Sequence, residues 1–161
     1  MDAAFQRYLS IQESCRYGGK RRIYEVIREE LFGMMVHITI PLDPRSKKNS
    51  QKIIYPGGRP MIIPSKPYKA FEDACGKYLQ DPTQIYYHLG LKAPCNVMCH
   101  YYMHTRRKVD LVNLQEATLD VLVKYGILED DNSNIVKSMD GSRVFYCKEH
   151  PRTEIFIEWE E

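Results

Sequence analysis

The alternation of apolar and polar residues predicts a mixed α/β chain built around one small sheet. Residues 34–40 alternate with period two, so Val36, Ile38 and Ile40 are expected on one face of a first strand. Further strands are predicted at residues 53–55, 61–63, 93–103, 134–139, 144–147 and 154–159. The first two of these flank a Pro-Gly-Gly turn and predict a hairpin. The last three are predicted to be hairpin-like strands that complete the sheet.

Helical spacing separates an N-terminal extension from the main domain. Residues 1–33 predict two short helices with a turn between them, placed before a domain of residues 34–161. Ser65 is the expected N-cap of a helix that reaches Leu79. A second helix is predicted to start at Asp110 or Val112 and to end before Gly126. The fold class is therefore a mixed α/β (α+β) domain, with a small sheet packed by helices.

Composition narrows the class of protein. The 161 residues are enough for one domain with a core, and no apolar run approaches the ~20 residues of a membrane span. The N-terminus lacks the apolar segment of a signal peptide, so an intracellular, cytoplasmic protein is expected. Its five cysteines include no Cys-x-x-Cys pair, which favours reduced, structural thiols over disulfides or zinc.

Charge is unevenly distributed along the chain. Between Pro41 and Ala70 there is one acid, Asp43, against seven lysines and arginines. From Glu129 onward, nine acids face four cations. This asymmetry indicates a polyanion bound across one surface near a metal site, although such runs are more often solvated loops.

The most informative segment is the helix with an acidic residue at each end. Asp110 suits either an N-cap or a magnesium ligand, and the cap is the better interpretation of that residue alone. Asp130 and Asp131 follow the helix in a turn that could be merely solvated. Because the helix is about 22 Å long, the two ends could meet only if the chain doubled back after Gly126.

This segment resembles the RusA-type junction endonucleases. Their pattern is a basic pair, then Asp-Leu-Asp-Asn-Leu-Gln-Lys, a helix ending at Gly, and an Asp-Asp pair. The chain carries these positions without a gap, as Arg106-Arg107, Asp110-Leu111-Val112-Asn113-Leu114-Gln115-Glu116, Gly126 and Asp130-Asp131. A looser resemblance covers roughly residues 34–160.

The resemblance implies a homodimeric nuclease that binds branched DNA and cuts paired strands of a four-way junction. It implies Mg²⁺ as cofactor, with Mn²⁺ as a substitute, and no membrane partner. Asp110 and Asp131 match the family's ligands, Asp130 assists, and Asn113 lies beside the site.

Two positions depart from the family pattern. Val112 replaces a second aspartate, and Glu116 replaces a lysine. The hypothesis is that Glu116 supplies the lost carboxylate, while Arg107, Lys108 or Lys137 supplies the lost cation. Lys108 is the preferred candidate.

The predicted DNA contacts are basic or amide side chains from the central loop and from the segment before the helix. They are Arg45, Lys47, Lys48, Asn49, Lys52, Arg106, Arg107 and Asn113, with Lys66 and Lys69 as second choices. Three functions remain open: a junction endonuclease, an impaired relative that binds branched DNA without efficient cutting, and an unrelated interaction module.

Overall fold

The computed structural model describes residues 34–47, 52–63 and 65–160. The predicted N-terminal helices, and with them the boundary of the extension, lie outside these residues. The strands are β1 (Met34–Ile40), β2 (Lys52–Ile54), β3 (Met61–Ile63), β4 (Cys95–Met103), β5 (Val136–Ser138), β6 (Arg143–Tyr146) and β7 (Arg152–Trp159). The helices are α1 (Lys66–Leu79) and α2 (Leu111–Lys124), and a 3₁₀ turn (Pro56–Gly58) joins β2 to β3.

Five of the strands form one mixed sheet, which confirms the predicted fold class. β7 lies between β1 and β4 and is antiparallel to both. β5 and β6 both pair with β4, and both are parallel to it. The prediction that the last strands form hairpins is therefore wrong for β5 and β6. A parallel pair requires a crossover connection, and α2 supplies it between β4 and β5.

The core lies between one face of this sheet and the helices. Alternate residues of β4, including Val97, Cys99 and Tyr101, are buried on that face, and Leu122 of α2 is fully buried against it. Burial raises the pKa of the Cys99 thiol to about 12, so this cysteine is an inert apolar group, as predicted. None of the helices in the described residues is both long and apolar enough to cross a bilayer.

Local capping sets the helix ends close to where the sequence predicts them. The Ser65 hydroxyl oxygen accepts a hydrogen bond from the Tyr68 N–H at 3.3 Å, which begins α1. Asp110 caps α2 in the same way, and Gly126 follows its end with a φ of 71°. These short-range signals position the carboxylate at the start of α2.

The two helices are held together near the C-terminal end of α2. Lys124 Nζ lies 2.6 Å from a carboxylate oxygen of Glu72 and 3.1 Å from one of Asp73. The Tyr125 hydroxyl donates to the Glu72 carbonyl oxygen at 3.0 Å. A Cβ on Gly76 would lie 2.9 Å from the Tyr125 ring, so this close approach requires glycine. α2 is thereby fixed at the end from which the acidic turn departs.

Candidate functional site

Asp110 is exposed at the start of α2, in the connection that follows β4. Its Oδ1 accepts a hydrogen bond from the Val112 N–H at 3.0 Å. This cap engages one carboxylate oxygen, so capping the helix and binding a cation are compatible roles for the same residue. The interpretations that the sequence leaves as alternatives can thus both hold.

Val112 is an unusual residue for its position. It lies in the first turn of α2 and is 62% exposed. Packing therefore does not require valine there, and a valine has no atom that could bind a hard cation. Val112 therefore leaves this solvent-facing position near Asp110 without a side-chain oxygen.

The acidic residues in the turn after α2 have different hydrogen-bond and ion-pair partners. Asp130 accepts hydrogen bonds from the Asp131 N–H at 2.8 Å and from the Asn132 side-chain amide at 2.6 Å. These bonds, the one from Asn132 first, lower the pKa of Asp130. Glu129 lies 3.2 Å from Lys92 Nζ. Asp130 therefore shapes the turn, and it presents the exposed Asp131 next to it.

Within one chain, Asp110 and Asp131 lie at opposite ends of α2. Asp110 comes seven residues after Met103, the last residue of β4. Asp131 comes four residues before Ile135, whose carbonyl oxygen accepts from the N–H of Cys95, the first residue of β4. The intervening helix of 14 residues is about 21 Å long. The chain does double back as β5, but only after Asp131. Spacing alone left this relationship open.

No group of three or more His, Cys, Asp or Glu side chains in the described ranges is arranged to hold a metal ion. The four predicted ligands, Asp110, Glu116, Asp130 and Asp131, are thus not gathered into such a group in one chain. A site with two protein carboxylates remains compatible with magnesium, which retains several waters. Their role as ligands stays a prediction.

Glu116 belongs to a charged surface midway along α2. Asp120, one turn further along, lies 2.8 Å from Lys47 Nζ. The hydrogen bond with Asp120, and to a smaller extent the charge of Glu116, raises the pKa of Lys47. Lys47 therefore links the central basic loop to α2, a contact that the sequence does not predict because the two partners are 73 residues apart.

Asp43 joins the central basic loop to the segment before α2. One of its oxygens accepts from the His104 N–H at 2.9 Å, and the other lies 3.3 Å from Arg45 Nη2. Arg107 Nη2 lies 3.8 Å from the same carboxylate and donates to the Pro44 carbonyl oxygen at 3.0 Å. Asp43 therefore holds two of the predicted DNA-binding arginines, Arg45 and Arg107, near the C-terminal end of β4.

The remaining predicted cations and amides occupy several places. Arg106 lies over the exposed Tyr146 ring of β6, with its guanidinium carbon 4.3 Å from the ring centroid. Lys108 is exposed beside Asp110, and Asn113 is half-buried in the first turn of α2. The backbone of Lys52 pairs with Ile63 at the base of the β2–β3 hairpin. Lys48 and Asn49 lie outside the described residues, and Lys66, Lys69 and Lys137 are exposed.

The fold and this surface define a mixed α/β domain with an exposed helix-capping carboxylate next to clustered arginines. The sequence model of the family described as Endodeoxyribonuclease RusA matches residues 41–158, which is most of the chain. The chain therefore belongs to the RusA endodeoxyribonuclease family. Membership implies an endonuclease that resolves four-way (Holliday) DNA junctions. No curated protein matches the chain.

Proposed function

We propose that this protein is a magnesium-dependent endodeoxyribonuclease that resolves four-way junctions by symmetric nicks in paired strands. The observation that carries the proposal is the exposed Asp110 carboxylate at the start of α2, flanked by Arg106, Arg107 and Lys108. A carboxylate for a divalent cation and cations for a phosphate are the two requirements of phosphodiester cleavage. They occur here within five residues.

The side chains divide these tasks. Asp110 and Asp131 offer the hard carboxylate oxygens that magnesium prefers, and Asp130 holds the turn that presents Asp131. When bound, the ion supplies an activated water and neutralises charge on the phosphate; Mn²⁺ would serve in its place. Lys108 would hold the scissile phosphate in position, because it is exposed next to Asp110.

A homodimer follows from the reaction and is favoured by the separation of the two aspartates. Paired nicks need two sites related by the two-fold symmetry of the junction, which a C2 dimer provides. Asp110 and Asp131 lie at opposite ends of α2, a helix about 21 Å long, and this arrangement disfavours one ion shared by both aspartates of the same chain. We infer that each site combines Asp110 of one protomer with Asp131 of its partner.

Mixed dimers test this arrangement directly. Asp110→Asn and Asp131→Asn are each expected to abolish nicking as homodimers. The fold should be kept, because asparagine can replace Asp110 as a helix cap and Asp131 is exposed. A heterodimer of the two variants, purified through different tags, would regain one complete site and nick one strand of the pair. The control is a heterodimer of wild type with the double variant. Its nicking would refute a shared site, since only a site within one chain survives there.

A four-way junction assay tests the function itself. The full chain is mixed with a synthetic junction and with a linear duplex, with and without magnesium. Paired symmetric nicks in the junction, appearing only with magnesium, are the expected result. A mobility shift without nicks would instead support the second candidate, an impaired protein that binds branched DNA. Val112 is the observation that favours this alternative, because a carboxylate of the family pattern is missing there.

The carboxylate that is missing at Val112 could be replaced by that of Glu116. Our hypothesis is that Glu116 contributes a carboxylate ligand to the ion. The charge of Glu116 also acts on Lys47, whose pKa it helps to raise. Titration of Mn²⁺ into wild type and Glu116→Ala measures the contribution, with nicking rates recorded in parallel. Unchanged metal affinity and unchanged nicking would eliminate the compensation hypothesis.

A further inference from the structure

The β2–β3 hairpin exposes apolar side chains on both of its faces. Ile53 is 60% exposed and Ile54 is 38% exposed. Successive residues of a strand point to opposite faces, so each face of β2 carries an exposed apolar side chain. Met61, which pairs with Ile54, is exposed, and so is Tyr55 directly after β2. Two-stranded hairpins are marginally stable alone, and clustered exposed apolar groups indicate a binding surface.

The charge around the hairpin identifies the kind of partner. From Pro44 to Phe71 the chain contains no acid. The same segment contains seven cations, Arg45, Lys47, Lys48, Lys52, Arg59, Lys66 and Lys69. Two copies of the hairpin packed on each other would bring like charges together, which opposes self-association. A polyanion with accessible apolar surfaces satisfies both the charge and the exposed side chains.

The turn of the hairpin is narrow. Gly57 and Gly58 have φ values of 63° and 82°, a conformation that favours glycine, and in the part of the chain that the structure describes no atom beyond their chain neighbours lies within 4 Å of either Cβ position. Tyr55 therefore lies next to a turn whose two glycines have no side chains and have open space, within the described residues, around their Cβ positions. Such a projection can enter a gap between stacked bases, where apolar side chains of DNA-bending proteins insert.

We propose that the β2–β3 hairpin enters the branch point of junction DNA, with Ile53 and Tyr55 against the open base pairs and Arg59 on a phosphate. This inference rests on the proposed function and adds a basis for choosing branched DNA over linear DNA. The interior of a linear duplex has its base faces stacked, whereas a branch point offers them to an apolar side chain. Phosphate contacts alone would bind both DNAs.

The test compares junction and duplex binding by the full chain without divalent metal. The probes are a synthetic four-way junction with 2-aminopurine beside the branch point, and a linear duplex with the sequence of one arm. The variant is Ile53→Ser combined with Tyr55→Ser. The matched control is Ile85→Ser, because Ile85 is 58% exposed and lies outside the hairpin.

The variant is expected to bind the junction about tenfold more weakly, the size of a lost base-stacking contact, and the duplex as wild type does. The rise in 2-aminopurine fluorescence on binding should disappear with it, while Ile85→Ser should retain both properties. An unchanged ratio of junction to duplex affinity would overturn the inference. So would conversion of a wild-type dimer to monomer by the variant, which would assign the hairpin to contacts between copies.

Failure of this inference can be told apart from failure of the proposed function. If wild type cuts junctions and the variant keeps the wild-type affinity ratio, only the role of the hairpin is refuted. If wild type neither prefers nor cuts junctions, the function is refuted and the inference with it.

Discussion

Replacing Asp120 by asparagine is expected to strengthen DNA binding by releasing Lys47. In the structure, Lys47 Nζ lies 2.8 Å from Asp120 Oδ2, and both side chains are about a third exposed. A partly exposed ion pair contributes less than about 1 kcal/mol to stability, so the variant keeps its fold. The lysine, no longer paired, becomes available to a DNA phosphate.

The magnitude follows from the release of counterions. Each additional phosphate contact steepens the slope of log K against log salt by about 0.9 for duplex DNA. A threefold rise in salt would then reduce the affinity of Asp120→Asn about 2.7 times more than it reduces that of wild type. Fluorescence anisotropy on labelled junction arms, measured over a series of salt concentrations, gives both slopes.

Lys47→Ala provides the control for this experiment. In that background, Asp120→Asn should leave the salt slope unchanged, because no lysine remains to be released. If the slope steepens equally in both backgrounds, the effect comes from net charge, and the reasoning from the Lys47–Asp120 pair is refuted. If Asp120→Asn leaves the slope unchanged in the wild-type background, Lys47 does not reach a phosphate.

Three further predictions concern stability. Leu122→Ala empties a fully buried position of α2 and should lower the free energy of unfolding by about 2–5 kcal/mol in a urea titration; a loss under 1 kcal/mol would contradict the core assignment. Gly126→Ala should lower the free energy of unfolding by about 1–2 kcal/mol in the same assay, because φ is 71° and the new Cβ would lie 3.2 Å from His88 Nδ1. An unchanged free energy of unfolding would mean that glycine is not required there. Burial, opposed by Glu154, lowers the pKa of His37 from 6.5, so below that pH the unfolded chain binds a proton that the folded chain does not. The free energy of unfolding should therefore fall as the pH is lowered below 6.5. The melting temperature of His37→Phe should depend less steeply on pH than that of wild type, and equal slopes would contradict this role of His37.

Helix ends were predictable because their signals are local. Ser65 and Asp110 each accept a hydrogen bond from an N–H within three residues, and Gly126 adopts the left-handed conformation that ends many helices. The alternation in residues 34–40 likewise gave the buried face of β1 correctly. In each case the information lies within a few residues of the position that it determines.

Strand order and the composition of the site were not predictable in the same way. Period-two alternation predicts that residues 144–147 form a strand but does not indicate which strand lies beside it, so the parallel pairing of β6 with β4 was missed. The ion pair of Lys47 with Asp120 joins residues 73 positions apart. Asp110 was identified from its place in the motif. Its distance from Asp131 was not predictable, because it depends on where the chain returns to the sheet after α2.

The strand pairing also sets an order of assembly during synthesis. β1 is made first among the described strands, yet within them it pairs only with β7, the last of these strands to be made. β4 also takes all of its partners from the chain that follows it. The sheet therefore closes only after β7 has been made, and pairing across such separations is slow. A nascent chain stopped before residue 152 would leave β1 and one edge of β4 without partners, the kind of exposed edge that chaperones and proteases encounter.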